Sequence, residues 1–196
     1  MRRAAFLDRD GVINRKAREG EYVTRWEEME ILPGVAEAIA LFNQSGLAVI
    51  VVSNQRCVAK GLITVSELGT LHQRMCDALA AAGSMIDAIY YCPHEAEPPC
   101  RCRKPQPGML LDAARDHGID LSASWMVGDS KADVEAGRRA GCKTALIAGR
   151  EESRNIDADL VAGSLLEGVQ QILTNAGAAT TGSSTRFGQF ASKRHD

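Results

Sequence analysis

The chain has 196 residues, 45% of them hydrophobic and 24% charged, which suits one globular domain with a real core and argues against wholesale disorder. A net charge of −2 with scattered Lys and Arg residues argues against binding to nucleic acid or an anionic membrane, and so favours a small-molecule partner. The N-terminus lacks the apolar stretch of a secretory signal and no segment approaches a membrane span, so we expect a cytoplasmic protein, and a monomer.

Short apolar runs alternate with stretches of helical periodicity along the chain. This alternation is typical of an α/β fold with a mainly parallel sheet. Strands are predicted at residues 4–7, 47–52, 86–91, 125–127 and 144–147. Helices are predicted from Pro33 to Gly46, from Thr64 with a capping box at Glu67 to Gly83, after Pro107, over 130–139 up to Gly141, and over 162–173.

The end of the chain has a different composition from the rest. From Asn175 onward it consists mainly of Ala, Gly, Thr and Ser, with charges at the very end. Such a segment has too few large apolar side chains to offset the entropy lost on ordering. We therefore predict a single domain over residues 1–174 and a disordered tail over 175–196.

The first predicted strand ends in two carboxylates, Asp8 and Asp10. Ligands bind at the carboxyl ends of strands in open α/β sheets, and two carboxylates there could hold a divalent cation such as Mg²⁺. An ordinary Asp-Gly turn explains Asp10-Gly11 equally well. The motif alone leaves an active site and a turn evenly matched.

Other chemically useful side chains also follow predicted strands or precede predicted helices. They are Ser53 and Asn54, Lys104, and the group Gly128, Asp129 and Asp133. Together they supply a cation, hydroxyl and amide donors and further carboxylates, which are the groups that phosphoryl transfer requires. Taken singly, Ser53 reads as a turn residue and Lys104 as a surface amine.

In this order, the motifs LDRDGVIN, VVSNQ, Lys104 and MVGDSKAD resemble the four signatures of the haloacid dehalogenase superfamily. The resemblance implies a Rossmann-like three-layer fold and an aspartyl-phosphate formed on Asp8. It further implies Mg²⁺ held by Asp8, the Asp10 carbonyl and Asp129. Asp10 would act as general acid and then base, and Ser53 and Lys104 would bind the phosphoryl oxygens.

A second group of candidate ligands lies within eleven positions: Cys92, His94, Cys100 and Cys102. Four such ligands fit a closed tetrahedral Zn²⁺ site with a structural role, because no position is left open for water. A disulfide, or four unrelated loop residues, is the alternative. Zinc binding would order the loop and fix Arg103 and Lys104, which directly follow it.

The combination of LDRDGVIN with CPH and CRCRKP resembles the D-glycero-D-manno-heptose 1,7-bisphosphate phosphatases, and nearly as well the histidinol-phosphate phosphatases, over residues 4–150. The resemblance implies a capless enzyme that removes the 7-phosphate from a sugar bisphosphate. Loops would then select the substrate. The candidate substrate-binding residues are Asn54, Gln55, Arg56, Arg103 and Lys131, although Arg56 departs from the NQSG that the heptose enzymes often carry.

Two further classes compete with this hypothesis. A zinc-stabilised binding module that has lost catalysis would have no need for carboxylates, a hydroxyl and an amine in the required types and order. A phosphomutase normally needs a cap to exclude water from the aspartyl-phosphate, and the segments 14–32 and 55–103 leave no room for one beside their predicted helices.

Overall fold

The computed structural model describes residues 1–148 and 155–181. Within them, six parallel strands form one sheet: β1 (Arg3–Leu7), β2 (Leu47–Asn54), β3 (Ala88–Cys92), β4 (Trp125–Gly128), β5 (Lys143–Ile147) and β6 (Leu160–Ala162). The helices are α1 (Val35–Gln44), α2 (Val65–Ala81), α3 (Gly108–His117), α4 (Lys131–Ala140) and α5 (Leu165–Thr181). Two short 3-10 helices lie at Trp26–Glu28 and Leu121–Ala123.

Helices cover both faces of the sheet, because alternate strand residues are buried on opposite sides. In β1, Ala5 and Leu7 pack in a cluster that includes buried residues of α1, α2 and α5. Their neighbours Ala4 and Phe6 pack in a second cluster, with residues of α3 and α4. This three-layer arrangement confirms the predicted α/β fold with its parallel sheet.

The strand order, β3-β2-β1-β4-β5-β6, places the first strand in the middle of the sheet. Leu7 lies level with Val51 of β2 and with Val127 of β4, so three strands end side by side. The order of connection reverses between β1 and β4. A crevice forms at such a switch point, outside the carboxyl ends of the strands.

Two helix starts follow the predicted capping signals. The Thr64 hydroxyl accepts a hydrogen bond of 3.2 Å from the Glu67 amide, and the Glu67 carboxylate accepts from the Thr64 amide. Ser130 and Asp133 form the same reciprocal box before α4, and Gly141 ends that helix at a φ of 86°. These local signals were sufficient because each acts within four residues.

The C-terminal elements differ from the prediction. β6 was not predicted, and the helix expected over 162–173 begins at Leu165 and extends to Thr181. The predicted end was wrong because residues 174–181 contain no proline, so further turns can add to a helix that is already formed. Residues 182–196 of the predicted tail lie outside the described residues.

The connections that could hold a cap are short. The link from β1 to α1 contains the 3-10 helix Trp26–Glu28 and isolated bridges, and residues 55–64 join β2 directly to α2. Within the described ranges, therefore, no additional folded unit stands over the end of the sheet. None of the described helices has the length and apolarity needed to cross a membrane.

Candidate active site

A crevice lies at the carboxyl ends of β1, β2 and β4. Residues 16–23, from the link after β1, form one wall, and Ser53, Asn54, Arg103 and Lys104 lie on another side. Its remaining lining residues are Asp8, Arg9, Asp10, Asp129, Ser130, Ala132 and Asp133. The structure thus brings all the predicted catalytic and magnesium-binding residues together in one place.

Lys104 is a buried cation held between two carboxylates. Its Nζ lies 2.7 Å from Asp8 Oδ1 and 2.6 Å from Asp133 Oδ1, and it donates a hydrogen bond of 2.8 Å to the Val52 carbonyl. Only 3% of the side chain is exposed. Burial opposes the charge, but the two carboxylates outweigh burial and raise the pKa of Lys104. The amine therefore stays positively charged at neutral pH.

Asp8 and Asp10 lie in contrasting environments. Burial raises the pKa of Asp8 to about 7, although Lys104 opposes the shift. A cation beside Asp8 would restore the ionised form that a nucleophile needs. Burial also opposes ionisation of Asp10, but the charge and hydrogen bonds of Arg9 outweigh burial and lower the pKa of Asp10. The two carboxyl groups are thus differentiated by their neighbours.

Three side chains donate to the Asp10 carboxylate. Arg9 Nη2 lies 2.9 Å and 3.0 Å from its two oxygens, Asn14 Nδ2 lies 3.0 Å from Oδ1, and Gln55 Nε2 lies 3.0 Å from Oδ2. Sequence reasoning missed Arg9 and Asn14. Both stand in the DRDGVIN segment, but nothing in the residue types alone shows that they turn towards Asp10.

Ser53, Asn54 and Gln55 are mainly engaged with protein groups. Gln55 Nε2 donates to Ser53 Oγ at 2.7 Å, and the Asn54 amide bonds both the carbonyl and the N–H of Lys104, at 3.1 Å and 3.0 Å. Asn54 therefore clamps the backbone that carries Lys104. For Asn54 and Gln55 these contacts support a positioning role, and substrate binding by either stays a prediction.

The carboxylates of Asp8, Asp129 and Asp133 form a group that could hold a metal ion, with one oxygen from each lying within 4.8 Å of the others. Oxygen ligands suit Mg²⁺, so the residues present fit the predicted ion. The sequence placed Asp133 among the carboxylates of the crevice and as a helix cap, but not among the magnesium ligands. A side chain at Gly11, whose φ is 95°, would place Cβ 2.2 Å from Asp129 Oδ2, so glycine is required beside this group.

Lys16 is a further residue that the sequence did not single out. Its Nζ lies 2.7 Å from Asp129 Oδ2, although 60% of its side chain is exposed. Burial opposes its charge, and the bond to Asp129 outweighs burial and raises the pKa of Lys16. Lys16 comes from the link after β1, and no sequence signal pairs it with a residue over a hundred positions away.

The predicted zinc ligands converge on one point. Cys92 Sγ lies 3.5 Å from His94 Nδ1 and from Cys100 Sγ, while Cys102 Sγ lies 3.3 Å from His94 Nδ1 and 3.5 Å from Cys100 Sγ. Sulfur ligands of a tetrahedral zinc stand about 3.8 Å apart, close to this spacing. All the cysteines are free thiols, so the disulfide alternative is wrong, and the four residues fit Zn²⁺.

The three basic residues predicted to bind the substrate do not all lie at the crevice. Arg103 lines the crevice and makes one long bond, of 3.4 Å, to the His94 carbonyl. Arg56 pairs with Glu95 of the zinc loop, the segment 92–102 that carries the four zinc ligands, and does not line the crevice. Lys131 is also outside it, 72% exposed and 3.7 Å from Glu135. The structure thus places Arg103 at the crevice and turns Arg56 and Lys131 towards other partners.

Comparison with known proteins gives one matching family model, described as HAD-hydrolase-like, over residues 101–168. Curated relatives match a larger part of the chain. A D-glycero-beta-D-manno-heptose-1,7-bisphosphate 7-phosphatase of Pseudomonas aeruginosa is 38% identical over 161 residues, which cover 82% of this chain and 89% of the relative. A D-glycero-alpha-D-manno-heptose-1,7-bisphosphate 7-phosphatase of Mycobacterium bovis is 38% identical over 159 residues, covering 78% and 83%.

Solved structures agree with these relatives. The D,D-heptose 1,7-bisphosphate phosphatase of B. bronchiseptica, complexed with magnesium and phosphate, superposes with a TM-score of 0.81 and 36% identity. The superposition covers 88% of this chain and 99% of that chain. The similarity therefore extends over most of this chain and almost all of that structure.

Proposed function

Since the chain belongs to the haloacid-dehalogenase-like phosphatases, in the family of the heptose bisphosphate phosphatases, we propose that it hydrolyses the 7-phosphate of D-glycero-D-manno-heptose 1,7-bisphosphate. The observation that carries the proposal is the convergence of Asp8, Lys104 and Asp129 in one crevice, with Asp10 beside them. Nucleophile, cation, metal ligand and acid–base group then all lie within reach of one phosphoryl group.

In the first step, an oxygen of the Asp8 carboxylate attacks phosphorus and the bond from phosphorus to the sugar oxygen breaks. The anionic phosphate beside Asp10 favours the protonated form of its carboxyl group. Asp10 gives this proton to the departing sugar oxygen, so the sugar leaves as an alcohol and Asp8 carries the phosphoryl group. In the second step, water attacks phosphorus and loses a proton to Asp10. The bond to Asp8 then breaks, phosphate leaves, and both carboxyl groups return to their starting states.

Buried Lys104 and Ser53 are proposed to bind the equatorial phosphoryl oxygens. The Lys104 charge also reduces the repulsion between the anionic phosphate and Asp8. Asp8, Asp129 and the Asp10 carbonyl would hold Mg²⁺, which would neutralise negative charge on the phosphoryl group. Asp133 already bonds Lys104 and Ser130. We therefore assign it a supporting role beside the magnesium ligands.

The remainder of the substrate is proposed to lie along the wall formed by residues 16–23. Arg103 and Arg18 line the crevice, and a guanidinium binds phosphate oxygens in pairs, so these two arginines suit the second phosphate. The zinc site has all four positions filled by protein, which supports a structural role. A monomeric state and a cytoplasmic location stay predictions.

The decisive test is phosphate release, with Mg²⁺, from both anomers of the heptose bisphosphate and from histidinol phosphate. Asp8→Asn should reduce the rate by about a thousandfold or more, because it removes the nucleophile. Asp77→Asn, the same change at an exposed carboxylate of α2 outside the crevice, is the matched control and should keep wild-type turnover. Preference for histidinol phosphate would contradict the proposed substrate. Phosphate release that survives Asp8→Asn would contradict the proposed mechanism.

A further inference from the structure

His72 lies on α2, away from the crevice lining, yet its ring reaches the catalytic network. Only 5% of the residue is exposed, and its Nε2 lies 3.3 Å from Arg9 Nη1. The Tyr91 ring packs against it in an edge-to-face arrangement, with ring centroids 5.7 Å apart. The imidazole is therefore held on one side by an aromatic ring and on the other by a guanidinium.

The bond between His72 and Arg9 has a defined direction. A guanidinium has only donors, so His72 Nε2 must be the acceptor and carry no proton. Burial and then the nearby Arg9 charge lower the pKa of His72 to about 4, which keeps the ring neutral at neutral pH. The histidine thus offers a fixed lone pair to a buried cation.

Arg9 carries this constraint to Asp10. Its side chain is 1% exposed, and its Nη2 spans both oxygens of Asp10, while Nε lies 3.3 Å from Oδ1. A guanidinium that bonds a carboxylate through Nε and Nη2 still needs a hydrogen-bond acceptor for Nη1 when water is excluded. His72 is that partner, and it fixes the plane in which the guanidinium meets Asp10.

We propose that His72 is a positioning residue for hydrolysis: by fixing Arg9, it holds the Asp10 carboxyl group in the orientation that exchanges protons with the leaving oxygen and with water. This inference rests on the proposed function, because it takes Asp10 as the acid and base. It adds a residue of α2 to a site otherwise built from strand ends, the loops that follow them and the start of α4.

The test compares two substitutions of His72. His72→Gln can present a side-chain oxygen to Arg9, whereas His72→Leu fills the space without an acceptor. Leu79→Ala, on the same helix and buried at 1% exposure, is the control for lost packing alone. We expect His72→Leu to lower kcat for the heptose bisphosphate by about tenfold to a hundredfold with KM within about twofold, and His72→Gln to restore most of it.

A second readout separates the role of Asp10 from general damage. With enzyme in excess over p-nitrophenyl phosphate, nitrophenolate release reports transfer to Asp8 alone, and this weakly basic leaving group needs little help from an acid. His72→Leu should therefore leave that single turnover within about threefold of wild type, while the sugar substrate slows as stated.

Three results would overturn the inference: equal loss of kcat in both His72 variants, a loss no larger than in Leu79→Ala, or an equal slowing of both substrates in His72→Leu. Any of them would make His72 an ordinary core residue. Failure of the proposed function is distinguishable, because the wild-type enzyme itself would then release no phosphate from the heptose bisphosphate.

Discussion

At the scale of single residues, the crevice gives two aspartates two residues apart different surroundings. Asp8 faces a buried ammonium and two other carboxylates, whereas Asp10 is bonded by a guanidinium and two amides. The sequence predicted both carboxylates from their position after a strand. It could not predict the part played by Arg9, since a regular strand would turn that side chain to the opposite face. β1 ends at Leu7, and the turn after it brings Arg9 back to Asp10.

Lys16 carries a prediction about metal affinity. Its amine lies 2.7 Å from Asp129 Oδ2, where it competes with a divalent cation for the same oxygen. Lys16→Met should therefore strengthen Mg²⁺ binding by a few fold, a modest gain because the exposed lysine is screened by water. Calorimetric titration with Mg²⁺, with no substrate present, measures the change.

The matched control for Lys16 is Arg15→Met. Arg15 is the adjacent residue and pairs with Glu30 outside the crevice. Its replacement should leave the Mg²⁺ affinity unchanged. If Lys16→Met bound Mg²⁺ no more tightly than wild type, the amine would not be a competitor for Asp129.

At the scale of secondary-structure elements, α4 carries Asp133 and packs very close to the sheet. The close approach occurs at Gly137, where an added Cβ would lie 2.6 Å from the Met126 Cβ and 2.9 Å from the Thr144 Cγ2. Both neighbours are strand residues with little freedom to move. A glycine in the middle of a helix is otherwise unfavourable, so its presence here follows from packing.

Gly137→Ala should destabilise the protein by about 1–3 kcal/mol, because overpacking outweighs the gain in helix propensity. Gly69→Ala is the matched change on α2, where nothing lies within 4 Å of the added Cβ. It should stabilise by up to about 1 kcal/mol. Urea unfolding of both variants measures the difference, and equal effects of the two substitutions would contradict this account.

The zinc loop is an element whose structure depends on its ligands. Gln55 N–H donates to the Cys92 carbonyl at 2.7 Å, and the Asn54 amide holds Lys104 at the far end of the loop. Cys102→Ser should lower the zinc content, the midpoint of thermal unfolding and kcat together, because the backbone of Lys104 loses its support. Cys76→Ser, at a cysteine of α2 outside the cluster, should change none of the three.

The elements that the sequence predicted well are those with local signals. The zinc ligands lie close together in the chain, and the capping boxes span four residues, so both were found without knowledge of the fold. β6 has three residues and depends on Asp159, whose carboxylate accepts bonds from Thr144 of β5. A strand that short carries no periodicity, and only its partner reveals it.

At the scale of the whole molecule, the sequence predicted the layered α/β fold but not which side chains far apart in the chain meet. The alternation of apolar runs fixes the layers, whereas the partners of Lys16 and Arg56 depend on loop paths that no pattern encodes. His72 is the clearest example, because a histidine on the buried face of a helix normally indicates nothing beyond packing.

The buried neutral state of His72 predicts how global stability depends on pH. Its pKa is about 4 in the folded protein and about 6.5 when unfolded, so below pH 6.5 the unfolded chain binds the proton more readily. Stability from this group is therefore lost as the pH falls from about 6.5 to 4. Between pH 7 and pH 5 the loss should amount to about 2 kcal/mol.

Comparison with His72→Gln isolates this contribution from that of the carboxylates. Urea unfolding at pH 7 and at pH 5 should show a smaller decrease in the unfolding free energy of the variant than of the wild type. An equal decrease in both proteins would mean that His72 does not titrate between its folded and unfolded states in this range.

The strand order described above also has a consequence for the sequence of events during folding. Closing the segment from Cys92 to Cys102 costs little chain entropy, whereas pairing β1 with β4 joins residues about 120 positions apart, as Ala5 and Trp125 show. The cluster of thiols can therefore capture its metal while the sheet is still incomplete. Lys104 would then reach Asp8 already attached to an ordered loop. The metal-bound loop would form first, and the rest of the crevice would assemble against it.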